Sequence, residues 1–322
     1  MMKYRHLTLI SALATVIAVS GCGSNSGTSA SQDIHLDYAY YSPLSLVVRD
    51  QHLLENRGYN VTWVLSAGSN KANEGLRSKA LDVGSTAGSA ALVARANGSP
   101  IKAIDLYAGG EWTALVVTKN SAINTIADLK GKKVAVTKGT DPYFFLLQSL
   151  ATAGLSPSDI EIVNLQHADG KTALERGNVD AWSGLDPFIA ETIQQQGSRF
   201  IYRNPNFNTY GFLDAREDFI ANHPNSVQAV VNSYEEARKW AKAHPNELAA
   251  LLASQANIPL SVAQEELTRT LVDIDPVPGD PQRAILTRVE PLAVADSDIK
   301  SDDAGRNALS TLIESKYVQQ AH

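Results

Sequence analysis

The strongest constraint on the fold is a pattern that recurs along the chain: a short apolar strand, a turn of small or hydroxylated residues, then a helical run. The clearest case is Val83-Gly84-Ser85-Thr86-Ala87-Gly88-Ser89, preceded by Leu81-Asp82 and followed by an alanine-rich stretch over 90–97. The pattern predicts a strand over 81–83, a turn over 84–89 and a helix behind it. Such a turn aims several backbone N–H groups and the positive end of a helix dipole at one point. That is a seat for an oxyanion, with the Ser85 and Thr86 hydroxyls as extra donors. The turn contains no lysine or arginine, so neutral dipoles would hold the anion. An ordinary strand-to-helix turn explains the same residues. Repetition favours the seat, because similar turns occur at Tyr41-Ser42, Gly68-Ser69, Gly139-Thr140-Asp141 and Trp182 through Asp186.

Strands alternate with helices through the first two hundred residues, which predicts parallel βαβ units covered on both faces. Ser42-Pro43 and Asp141-Pro142 each suit an N-cap followed by the first helical position. Val61, Trp63 and Leu65 alternate as a strand should. Val179-Asp180-Ala181-Trp182-Ser183 echoes Leu81-Asp82-Val83-Gly84-Ser85, and both follow a short polar helix. The echo implies two lobes built on one plan. From Tyr210 the character changes, and helices are expected over 224–243, 245–255, 261–271, 284–294 and 304–317.

The N-terminus is expected to lie outside the fold. Lys3 and Arg5 precede an apolar run over 7–19, which is too short for a membrane span. Val19-Ser20-Gly21-Cys22 follows, then a Gly/Ser-rich stretch to Ser31. Small residues before a cysteine resemble a bacterial lipobox, in which the thiol is lipidated after cleavage. The expected division is therefore a lipoprotein signal peptide over 1–21 and a flexible tether over 22–32. Cys22 is the single cysteine, so no internal disulfide forms. The 322 residues carry a formal net charge of −6, which argues against nucleic acid as a partner.

With these turns placed, the chain resembles the bacterial solute-binding proteins of sulfonate, nitrate and taurine ABC importers, closest to the aliphatic-sulfonate branch. The resemblance is carried by Leu81-Asp82-Val83-Gly84-Ser85-Thr86, by Ile126-Ala127-Asp128-Leu129-Lys130-Gly131-Lys132-Lys133-Val134-Ala135-Val136, and by Lys138-Gly139-Thr140. Val179-Asp180-Ala181-Trp182, Asp186-Pro187-Phe188, Trp240-Ala241-Lys242-Ala243 and Pro245 add to it. It covers about residues 33 to 320. It implies a type II periplasmic-binding-protein fold of the α/β class. Each of its two lobes would be a mostly parallel sheet flanked by helices, joined by two hinge crossings. Lobe one would be 33–113 with 211–322, lobe two 114–210, and the ligand would lie between them.

The resemblance further implies a small anionic ligand, a sulfonate, captured without chemical change and delivered to an ABC permease and its ATPase. The protein would be an exported monomer on the periplasmic or cell-surface side, held to the membrane by its lipid, with no cofactor. The expected ligand contacts are Tyr41, Ser42, Gly68, Ser69, Ser85, Thr86, Trp112, Gly139, Thr140, Asp141, Tyr143, Trp182 and Asp186. Asp141, Asp186 and Glu111 are open to a second reading as helix caps or hinge residues, or as partners of a positive group on the ligand. The aromatic run Tyr143-Phe144-Phe145 suggests a ligand with an apolar group larger than ethane, or else core packing, the preferred reading for Phe145. Taurine, nitrate or another small anion is the alternative ligand. An enzyme like the thiamine-pyrimidine synthases of the same superfamily is the rival class. That rival lacks support in the mature chain, which has no cysteine-rich motif and no paired histidine spacing for a metal. A sensory module is a third class, and a chemoreceptor partner is compatible with it.

Overall fold

Two sheets carry the chain, and the backbone passes between them twice. The computed structural model describes residues 33–321, so the signal-peptide, tether and Cys22 expectations lie outside the described residues. The first lobe begins with β1 (Asp33–Tyr38), α1 (Pro43–Asp50), β2 (Asn60–Leu65), α2 (Ser69–Ser78), β3 (Val83–Ala87), α3 (Gly88–Ala96) and β4 (Ile101–Gly110). The second lobe contains β5 (Thr113–Val117), β6 (Lys133–Val136), α4 (Asp141–Thr152), β7 (Glu161–Asn164), α5 (His167–Glu175), β8 (Ala181–Leu185), α6 (Phe188–Gln196) and β9 (Arg199–Tyr202). The chain then returns through β10 (Gly211–Arg216), α7 (Glu217–Asn222), α8 (Pro224–Ala243), α9 (Pro245–Ala256), α10 (Leu260–Leu267), β11 (Thr270–Leu271), α11 (Asp280–Ala295), α12 (Asp302–Thr311) and α13 (Lys316–Ala321). All described residues fall in one compact unit. None of their helices is long and apolar enough to cross a membrane.

The first sheet has the order β11-β4-β10-β3-β1-β2 and the second β7-β6-β8-β5-β9. Parallel pairing holds for β1 with β2 and β3, and for β6 with β7 and β8. The strands that follow each crossing run the other way. β5 is antiparallel to β8 and β9, and β10 is antiparallel to β3 and β4. Each sheet is still mostly parallel in strand direction, as expected: β1, β2, β3 and β4 run one way in the first, and β6, β7, β8 and β9 run one way in the second. At the first crossing Gly110 has φ +131°, and a Cβ there would stand 1.9 Å from the Arg269 carbonyl oxygen. Only glycine fits that passage.

The strand before each echoed turn lies further along than the pattern predicts. β3 begins at Val83 and takes in Gly84, Ser85 and Thr86; β8 begins at Ala181 and takes in Ser183 and Gly184. Both strands lie in the middle of a sheet and are buried throughout. Tertiary pairing overrides the turn-forming tendency of glycine and serine. The echo itself is structural. The Asp82 amide donates to the His35 carbonyl while its carboxylate accepts from the His35 amide at 2.8 Å. Asp180 does the same with Lys133, also at 2.8 Å. Each aspartate locks its strand to the neighbouring parallel one. Another difference lies near the C-terminus, where α10 stops at Leu267 and a two-residue strand, β11, pairs with β4.

The first lobe packs Ile34, Leu36, Val83 and Leu213 from its sheet against Val47, Val230 and Tyr234 from α1 and α8. The second packs Val116, Ala135 and Trp182 against Leu174 and Ile189 from α5 and α6. At roughly 25 cal/mol per Å2, burial of such apolar surface is the main favourable term in folding.

Candidate functional site

Residues from both lobes and from the first crossing line a tight gap with a cavity volume of about 10 Å3, room for little more than one water. Tyr41, Ser69, Ala87 and Tyr107 line it from the first lobe; Thr140, Asp141, Pro142 and Leu185 line it from the second; Trp112 closes it at the crossing. A second compartment of about 100 Å3 shares Tyr41 and Leu185 with it. That compartment is walled by Tyr40, Leu65, Ala67, Ala168 and Phe188, with His167 and Asp186 on its rim.

Five of the thirteen expected contacts meet at the first cavity: Tyr41, Ser69, Trp112, Thr140 and Asp141. Tyr41 is fixed by a 3.0 Å hydrogen bond from its hydroxyl to the Ser85 carbonyl. Ser69 opens α2, and its Oγ accepts from the Ala87 amide at 2.9 Å. Thr140 is the N-cap of α4 and donates to the Thr137 carbonyl. α2 and α4 both begin at this gap, so two helix N-termini from opposite lobes face it; α4 brings few free amides, because Pro142 has no N–H and the Tyr143 amide donates to the Thr140 carbonyl at 3.0 Å. Gly68, the N-cap of α2, sits at the lobe contact: a Cβ there would stand 3.0 Å from His167 Nε2. Gly139 lies beside Asn70 on the outer side of the same contact.

The other expected contacts point elsewhere. The Ser85 amide and Oγ both donate to Asp37 Oδ1, at 2.8 and 3.0 Å, and Thr86 Oγ1 donates to Asp214 Oδ2 at 2.6 Å. Adjacent strand residues face opposite sides, and both hydroxyls are spent inside the sheet. The oxyanion seat expected at Ser85 and Thr86 therefore does not form there. Ser42 is fully buried at the start of α1, with no partner for its hydroxyl among the described residues. Trp182 lies in the second-lobe core against Gly170 and Gly184. Tyr143 is buried, and its hydroxyl donates to Asp296 on the segment after α11. Phe144 and Phe145 are core, with the Phe145 ring 6.0 Å from those of Tyr202 and Phe207. The aromatic run thus packs away from the cleft. The apolar wall there comes from Tyr40, Leu65 and Phe188.

The two cleft aspartates are paired at every oxygen. Asp141 accepts from Ser89 Oγ and Thr209 Oγ1 at 2.7 Å, and from Trp112 Nε1 and the Thr209 amide at 2.9 Å. Burial pushes its carboxyl up from the ordinary range, and these four donors pull against that shift. Asp186 accepts from Arg269 Nε and Nη2 at 2.7 and 2.9 Å and from the Ala190 amide at 3.0 Å. Burial raises it too, opposed by the arginine. Glu111 is held by Arg203 at 3.0 and 2.7 Å.

Ser89, Tyr107, His167, Thr209 and Arg269 escape the sequence reading. Small-residue turns signal Ser89 and Thr209 weakly; the other three carry no local signal. Thr137 Oγ1 gives its single hydrogen to the Leu165 carbonyl at 2.7 Å, so it accepts from His167 Nδ1–H at 3.1 Å. Nε2 is therefore the bare nitrogen, and burial holds the ring neutral, with its pKa down to about 3. Among the described residues, no group of His, Cys, Asp and Glu is arranged to hold a metal.

A family model described as NMT1/THI5 like matches residues 47–248. A protein of Escherichia coli strain K12 that carries the provisional name aliphatic sulfonates-binding protein is 30% identical over 259 residues, 78% of this chain and 80% of that one. Two solved structures share the fold. The periplasmic aliphatic sulphonate binding protein of Escherichia coli aligns with a TM-score of 0.72 and 26% identity over 86% of this chain and 91% of its own. The alkanesulfonate-binding protein of Xanthomonas axonopodis pv. citri, bound to MOPS, aligns with a TM-score of 0.79 and 23% identity over 88% and 98%.

Proposed function

The chain belongs to the NMT1/THI5-like family and has the two-lobed, type II periplasmic-binding-protein fold, and from that premise we propose that it is the extracytoplasmic solute-binding component of an ABC importer for organosulfonates. The observation that carries the reading is the convergence of the α2 and α4 N-termini, from opposite lobes, on one interlobe gap lined by Ser69, Thr140 and Trp112, which a ligand enters when the lobes part. A sulfonate spreads one permanent charge over three oxygens. The Ser69 hydroxyl and the first amides of α2 are neutral donors that match it without a lysine or arginine. The apolar compartment beside it, walled by Tyr40, Leu65 and Phe188, suits an alkyl or aryl tail. The names of the relatives from Escherichia coli and Xanthomonas point the same way.

In this reading, 33–113 with 211–322 and 114–210 move as two bodies about crossings near 111–116 and 207–212. Contacts from one ligand to both bodies favour closure. The ligand leaves unchanged, to a permease and its ATPase, and Cys22 carries the lipid that keeps the protein at the membrane. The rival enzyme reading requires turnover.

The test is a thermal-shift panel on the mature protein with methane-, hexane- and benzenesulfonate, taurine and nitrate. A ligand at 100 times its Kd should stabilise by about 2.7 kcal/mol. Hexane- or benzenesulfonate is expected to give the largest shift and to be recovered intact. A shift confined to nitrate, or loss of the sulfonate on incubation, would overturn the reading; a shift confined to taurine would overturn its apolar-tail part.

A further inference from the structure

The four donors around Asp141 form a better anion site than the carboxylate needs. Asp141 opens α4, where a first-turn acid is already favoured by the helix dipole. Yet its side chain crosses the cleft and is fully enclosed. None of its partners belongs to the second-lobe sheet or its helices: Ser89 sits in the first turn of α3, while Trp112 and Thr209 lie in the two chain crossings. One indole N–H, two hydroxyls and one amide converge within 2.7–2.9 Å of two oxygens. Neutral donors in fixed positions are what a preorganised anion hole requires. A tethered carboxylate in such a hole acts as an internal ligand.

We infer that the Ser89–Trp112–Thr209 donor cluster is an anion hole at the base of the cleft, and that Asp141 is its resident occupant and sets specificity by competing with the anionic head of free ligands. Ser89 lies across the hinge from Asp141, and Trp112 and Thr209 lie in the hinge itself. Opening the lobes withdraws Asp141 and bares the hole; closing returns it. A small anion must outcompete a carboxylate held at very high local concentration. A ligand with an apolar tail has binding energy from the adjoining compartment to set against it. The identity of the natural ligand rests on the proposed sulfonate reading; the hole itself does not.

The test is calorimetry of acetate and methanesulfonate with the mature wild type, Asp141→Ala and Asp141→Ser, each checked for folding by circular dichroism. The alanine variant is expected to bind both anions at least tenfold more tightly than wild type, and adding Trp112→Phe should remove most of that gain. Asp141→Ser keeps a small polar group at the helix start and should show the same gain if the alanine variant does not fold. A folded variant that binds neither anion more tightly overturns the inference. If acetate gains affinity while no sulfonate binds either protein, the hole stands and the sulfonate reading falls. If sulfonates bind wild type and variant alike and acetate gains nothing, the sulfonate reading stands and the hole falls.

Discussion

Two pairs of buried carboxylates, one in the first sheet and one at the cleft, are treated differently by the molecule. Under the first sheet, Asp37 and Asp214 are met by the Ser85 amide and hydroxyl and by the Thr86 hydroxyl. Asp214 Oδ1 has no partner among the described residues. Burial pushes these two carboxyls up to about 6 and about 7. At the cleft, Asp141 and Asp186 have the same burial, but four donors hold the one, and a bidentate arginine with an amide holds the other. The comparison teaches that the place where the lobes meet sets more donors against the upward push of burial than the sheet does. Desolvation is common to both; the number of donors decides.

The strongest way to break this contrast is Arg269→Met. The variant leaves Asp186 buried without its cation, and the expected cost is about 3–5 kcal/mol in urea unfolding. A loss below about 1 kcal/mol would mean that the pair is not a clamp. A smaller effect sharpens the sheet side of the contrast. The Asp214 carboxyl titrates higher folded than unfolded, so its proton uptake adds stability that is complete below pH 3.8 and lost as pH rises through about 7. Asp214→Asn lacks this dependence. Its stability relative to wild type should therefore rise by roughly 2–3 kcal/mol from pH 5 to pH 8. A difference that stays flat across that interval would place the Asp214 titration elsewhere. The smallest effects come from a serine pair. Ser85→Ala removes one donor to Asp37 and should cost about 1 kcal/mol of stability with sulfonate affinity unchanged. Ser69→Ala should instead weaken sulfonate binding severalfold, because Ser69 lines the cavity. Calorimetry that found the reverse assignment would return the ligand seat to β3.

Much of the architecture is legible along the chain, and the reasons are local. Ser42-Pro43 does start α1, His223 and His244 each precede a proline that opens α8 or α9, and Asn60–Leu65 is a strand. Capping, proline geometry and two-residue alternation act within a few residues. The site is legible only in part. Ser69, Thr140 and Asp141 stand at helix starts, so the pattern finds them. Ser85, Thr86 and Trp182 fit the pattern equally well, and pairing within the sheets turns them inward. No local rule separates the two groups. The register that decides it is set by strands far away in sequence.

What the sequence determined by itself is the order of strands and helices, the family, and the chemistry of neutral donors at helix starts, since each depends on residues near one another in the chain. What the tertiary structure alone decided is which of those donors face the cleft and which buried acids find partners for both oxygens. Arg269 reaches Asp186 across 83 positions, Thr209 reaches Asp141 across 68, and His167 rests on Gly68 from the opposite lobe. These meetings exist only once the two lobes are closed on each other.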